Sequence, residues 1–179
     1  MLQVDDTALV IVDVQGKLAK IMHQSQELLK NISNMIQGAK LLNIPVLWLE
    51  QYPKGLGSTN EQIQALLTSN TPVEKMTFSA YRTEAFQQQL EKLNKKSLLV
   101  AGIESHICVY QTVNDLLERS YEVEIITDCI SSRTLANKQV GIDKMVSIGA
   151  KVTSVEMTLF ELMQTAEHPK FKEISKLIK

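Results

Sequence analysis

Cysteine is scarce in this chain: Cys108 and Cys129 are the two among 179 residues. That excludes a disulfide framework and points to a reducing cytoplasm. Charge of one sign is missing as well, with 19 basic against 20 acidic residues and a formal net charge of −1. No basic run or stripe stands out, so a nucleic-acid partner is not expected. Apolar runs such as "ALVIV" are far too short to cross a bilayer. The opening "MLQVDDT" lacks the basic and apolar regions of a signal peptide. Internal repeats, low-complexity tracts and Pro/Gly/Ser-rich linkers are absent, and "GxGxxG" does not follow any strand pattern. His23, His106 and His168 are scattered without metal-ligand spacing.

What is present is 44% hydrophobic content in a length that suits one domain, residues 1–179. Continuous apolar runs alternate with helical periodicity. Strands are predicted at 8–14, 45–50, 71–76, 97–103, 123–129 and 151–155. The run Leu28, Ile32, Met35, Ile36 and Ala39 predicts a helix over 24–42. Thr83 is placed as the cap of a helix carrying Phe86, Leu90 and Leu93. Further helices are expected over 107–119 and 134–148, the latter ending at Gly149. Thr153 and Glu156 have capping-box spacing for a last one. The stretch "YPKGLGSTN" reads as loop. Strands that are apolar throughout are covered on both faces. The expected fold is therefore a three-layer α/β/α domain with a six-stranded, mostly parallel, Rossmann-like sheet.

In such sheets ligands sit beyond the carboxyl ends of the strands, at a topological switch point. Asp13, Glu50, Lys75, Cys108 and Asp128 lie at or just past predicted strand ends. Asp13 is either a strand-end carboxylate bonded to loop amides or a general base. Lys75 is either a solvated surface lysine or a cation beside that carboxylate. Cys108 is either a small core residue or a nucleophile at a helix start, where orphan amides favour thiolate. Cys129 reads as structural. His106, two residues from Cys108, is poorly placed for a dyad.

Three segments, "LVIVDVQ", "VEKMTFSAY" and "GIESHICVYQT", together resemble the isochorismatase-like cysteine hydrolase superfamily, which includes nicotinamidases and carbamoyl-amide hydrolases. "EQYPKGLGST" and "EMTLFELMQTAEHPKFKEI" look like a divergent subgroup of it. The resemblance implies an Asp13–Lys75–Cys108 triad and a cis peptide bond joining Ile103 to Glu104. It also implies an oxyanion hole from the backbone N–H groups of Glu104 and Cys108. Activity on a small amide or related C–N bond through a Cys108 thioester follows, in a homo-oligomer with no cofactor. Gln15, Tyr52, Phe78 and Tyr81 are placed in the pocket wall by position. Nicotinamidases of the superfamily carry an aspartate–histidine metal site after the second strand. Here that region, "LEQYPKGLG", has no histidine, so no metal is expected. Members that hydrolyse isochorismate lack the cysteine that this chain retains. The rival expectation is a catalytically silent oligomer that binds a metabolite or a protein.

Overall fold

The computed structural model describes residues 1–68 and 71–179. Its centre is a six-stranded sheet: β1 (Thr7–Val12), β2 (Val46–Gln51), β3 (Val73–Lys75), β4 (Ser97–Ile103), β5 (Glu122–Ser131) and β6 (Lys151–Thr153). The spatial order is β3-β2-β1-β4-β5-β6, and every neighbouring pair is parallel. The chain winds outward from β1 in one direction, then returns to β4 on its other side. That reversal opens a crevice between the carboxyl ends of β1 and β4.

Alternate residues of the four central strands feed two cores, which is why β1 and β4 read as nearly unbroken apolar runs. Leu9, Ile11, Leu99 and Ala101 face one core, closed by α2 (Ser25–Leu41), α8 (Val155–Met163) and α9 (Phe171–Ile178). Ala8, Val10, Val12, Leu98 and Val100 face the other, closed by α5 (Glu84–Leu93), α6 (Tyr110–Leu117) and α7 (Leu135–Ser147). Three shorter helices, α1 (Gly16–Lys20), α3 (Pro53–Leu56) and α4 (Glu61–Gln64), lie in the connections around β2. No helix among the described residues is long and apolar enough to cross a membrane.

Local chemistry departs from expectation in places. The stretch read as loop holds the single turn α3, started by Pro53 at its first position. Thr83 occupies the N-cap position of α5, but its hydroxyl pairs with Thr77 Oγ1 at 3.2 Å instead of the helix amides. The final cap is Ser154, not Thr153: Ser154 Oγ accepts the Met157 N–H, while Thr153 Oγ1 pairs with Thr158. Gly149, at φ +108, follows α7 in the left-handed region that a glycine stop supplies. Gly102 is more constrained. At φ +126 its missing Cβ would lie 2.0 Å from Val12 O, so only glycine lets β4 pass β1 there.

Candidate active site

Asp13 follows the last residue of β1 with φ 52, an uncommon left-handed conformation for a residue with a side chain. Lys75 closes β3, and both side chains are almost wholly buried. Lys75 Nζ lies 2.7 Å from Asp13 Oδ2 and 2.7 Å from Gln51 Oε1. It also lies 3.2 Å from Thr77 O and 3.1 Å from Phe78 O. An ammonium has three N–H donors, and four oxygens surround them. Lys75 therefore has no donor to spare for a ligand. A buried pair so fully bonded holds its geometry, because removing either partner strands a charge.

Cys108 comes from the opposite strand end. β4 leaves through the Ile103–Glu104 peptide bond, which is cis. The chain then makes one widened turn, Ser105–Val109, before α6 begins. Glu104 O accepts from Ile107 N at 3.0 Å and from Val109 N at 3.3 Å. The second bond spans five residues, as in a π-turn. The intervening Cys108 N–H is passed over by that carbonyl. The Glu104 N–H has no acceptor among the described residues. Helix α7 backs against this turn at Gly141, where a Cβ would meet the Ser105 and His106 backbone at 2.7–2.8 Å.

Burial, then the negative charge of Asp13, push the Cys108 thiol up to about 12, against the opposing pull of Lys75. The thiolate-favouring pull expected at a helix start is thus opposed by burial. Cys108 lies within the wide turn, and desolvation outweighs the local dipole. Burial also raises Asp13 above the usual carboxylate range, although Lys75 pulls the other way. The sulfur is near enough for the two groups to perturb each other, but the approach falls short of a full hydrogen bond. Asp13 Oδ1 is buried and has no hydrogen-bond partner among the described residues.

Asp13, Cys108, Glu104 and Gln51 line one cavity of about 120 Å³. The rest of its wall is Leu18, Leu56, Phe78, Ile103 and Ile107, and its surface is almost wholly apolar. Of the four residues expected in the wall, Phe78 is there. Tyr52 lies over a separate groove with Pro53 and Glu74. Tyr81 stacks under Arg119, 4.1 Å from its ring centroid, and beside Tyr121. Gln15 is fully buried. Its amide donates to Gln51 O and Gly57 O and accepts from Gln51 N, so it braces the loop instead of facing the cavity.

Two other strand-end acids serve structure. Glu50 Oε1 accepts the Thr59 N–H and hydroxyl at 2.6 and 2.7 Å. Asp128 lies within β5 and accepts the Val155 N–H at the start of α8. His106 pairs with Ser132 Oγ at 3.0 Å. Cys129 is fully buried in the opposite core. Sequence reasoning missed Gln51, Leu18, Leu56 and Ile107. Gln51 was within reach of it, since strand parity puts Gln51 beside Lys75 in the β2–β3 register. No three His, Cys, Asp or Glu side chains cluster as metal ligands would among the described residues.

The pattern of the isochorismatase domain matches residues 7–157. The chain is 37% identical over 177 residues to the secreted isochorismatase effector Isc1 of Phytophthora sojae, covering 97% of this chain and 84% of that protein. It is 36% identical over 167 residues to isochorismatase domain-containing protein 1 of Salmo salar, covering 93% of this chain but 59% of that protein's length. Among solved structures, the MAR1 ribonuclease from Caenorhabditis elegans superposes with a TM-score of 0.92 at 35% identity, covering 99% of this chain and 91% of that one.

Proposed function

We propose that this chain, which belongs to the isochorismatase family, is a cysteine hydrolase that cleaves a small amide or related C–N bond. The observation that carries the reading is Asp13 Oδ1, a buried carboxylate oxygen left without a partner beside the Cys108 thiol. An unmade bond of that kind costs about 1–3 kcal/mol. A proton arriving from the thiol offsets that cost during reaction.

The thiol is protonated at neutral pH, so thiolate forms only as the substrate carbonyl is attacked. Asp13 takes the proton while sulfur bonds to the carbonyl carbon. The resulting oxyanion accepts the N–H groups of Glu104 and Cys108, which strengthens as charge develops. Collapse breaks the C–N bond, and the amine leaves with the proton from Asp13. Water, deprotonated by Asp13, then attacks the thioester, and the acid departs as the thiol re-forms. Lys75, its donors all engaged, holds Asp13 in place through both steps. No step assigned here calls for a metal or cofactor.

The solved neighbour's ribonuclease description is the competing activity. Phosphate recognition needs cations. No lysine or arginine is among the residues that line the cavity, which favours the amide reading. Two free cysteines fit a reducing compartment, and we place the chain in the cytoplasm. Val152 and Met157 leave apolar surface at β6 and the start of α8, which supports a homo-oligomer. A solution mass equal to the 20.1 kDa chain would count against that assembly.

The test compares native protein with Cys108→Ala on a panel of amides, reading ammonia release. Native turnover that falls by on the order of 10³-fold or more in the variant supports the nucleophile. Equal turnover in both removes it. Ligand binding without turnover in either favours the silent binder, and RNA cleavage by the native chain overturns the amide assignment.

A further inference from the structure

The cavity beside Cys108 carries information about the acyl group, and this inference rests on the hydrolase reading above. Five apolar side chains, Leu18, Leu56, Phe78, Ile103 and Ile107, form its wall. Asp13, Glu104 and Cys108 are the ionisable residues that line it; the Glu104 carboxylate is turned to Arg133, and no lysine or arginine is among the lining residues. Their cations stand behind them. Lys75 is sealed under Asp13 with every donor used, and Arg133, bonded to Glu104 Oε2 at 3.2 Å, lies half in solvent outside the wall.

A carboxylate on the acyl group would lose its hydration in this space and meet no side-chain cation there. It would also approach the Asp13 carboxylate at short range, where the low dielectric magnifies repulsion. An apolar acyl group loses nothing and gains contact with the five side chains.

We propose that the site is selective for uncharged amides with a compact apolar acyl group and rejects those bearing an anionic acyl group. Leu56 and Phe78, 39% and 53% exposed, form the lips of the opening. A substituent at either lip would border a ligand that enters the cavity. A cation placed at Leu56 therefore weakens the preference.

Pentanamide, succinamide and succinamate have similar length and differ in polarity and charge. With the native enzyme, kcat/KM is expected to fall in that order, with pentanamide at least tenfold above succinamate. Leu56→Arg is expected to raise the succinamate-to-pentanamide ratio at least fivefold. Succinamate turned over as well as pentanamide by the native enzyme overturns the proposal. Binding to Cys108→Ala, followed by calorimetry, separates this from the hydrolase reading. Pentanamide that binds more tightly than succinamate, with no native turnover of either, keeps the selectivity and rejects the chemistry. Equal binding, or binding of neither, rejects the selectivity.

Discussion

At the scale of single residues, Asp13 does two opposing things to Cys108. Its charge raises the thiol, and its vacant oxygen is the proton's destination. Asp13→Asn separates them. Loss of the negative charge leaves Lys75 as the dominant neighbour, so the thiol pKa falls and alkylation by iodoacetamide at pH 8 becomes faster. Amide turnover moves the other way, down by about 10²–10⁴-fold with the base gone. Turnover left unchanged by the substitution would remove Asp13 from the proton path. Asp13, Lys75 and Cys108 were legible in the sequence because strand ends of a parallel sheet converge. The state of the thiol was not. It depends on the depth of burial and on a charge 95 positions away in the chain, neither of which spacing encodes. Tyr52 and Tyr81 were misplaced for a related reason: which side of a loop an aromatic ring covers is decided by partners such as Arg119.

Among elements, the widened turn Ser105–Val109 is held from behind by α7. Gly141 permits contact that a methyl group would prevent, since the atoms it would meet are backbone. Gly141→Ala is expected to cost about 1–3 kcal/mol of stability as overpacking and to displace the Cys108 amide. Thermal denaturation and kcat measure the two effects. Unchanged kcat alongside a lowered melting temperature would show that α7 supports the fold without aiming the turn. Strand positions were readable within one or two residues because the central strands carry runs of apolar residues bounded by polar ones, and strand–helix alternation places the short edge strands β3 and β6. The cap of α8 was not, because Thr153 and Ser154 are adjacent hydroxyls and only the backbone angle at the helix entry selects between them. The wide turn was also hidden, since its sequence differs little from that of an ordinary helix start.

For the molecule as a whole, the two thiols link stability to alkaline pH. Cys108 is pushed up to about 12 and Cys129 is raised well above its ordinary range by complete burial. An unfolded thiol ionises near pH 8.5. Folded-state values above the unfolded ones stabilise fully below that pH, and the contribution is lost as pH rises toward the folded values. Each thiol therefore contributes a slope of about 1.4 kcal/mol per pH unit above roughly pH 9, and the pair about 2.7. Urea denaturation across pH 8–10.5 is expected to show a decline that Cys129→Ala makes shallower by about half of that. An unchanged slope in the variant would mean that Cys129 is not sealed in the folded protein. The parallel sheet and its two cores followed from strand–helix alternation; the depth of each thiol within them required the packing.

The brace supplied by Gln15 has a consequence for how this protein can change. One amide group ties the chain at Gln51 and again at Gly57, so residues 52–56 form a short cassette clipped at both ends. Leu56 belongs to that cassette, whereas the sulfur and its acid lie outside it. New specificities can thus be sampled by exchanging five residues, and a library confined to them is expected to alter which acid is released while the melting temperature stays put.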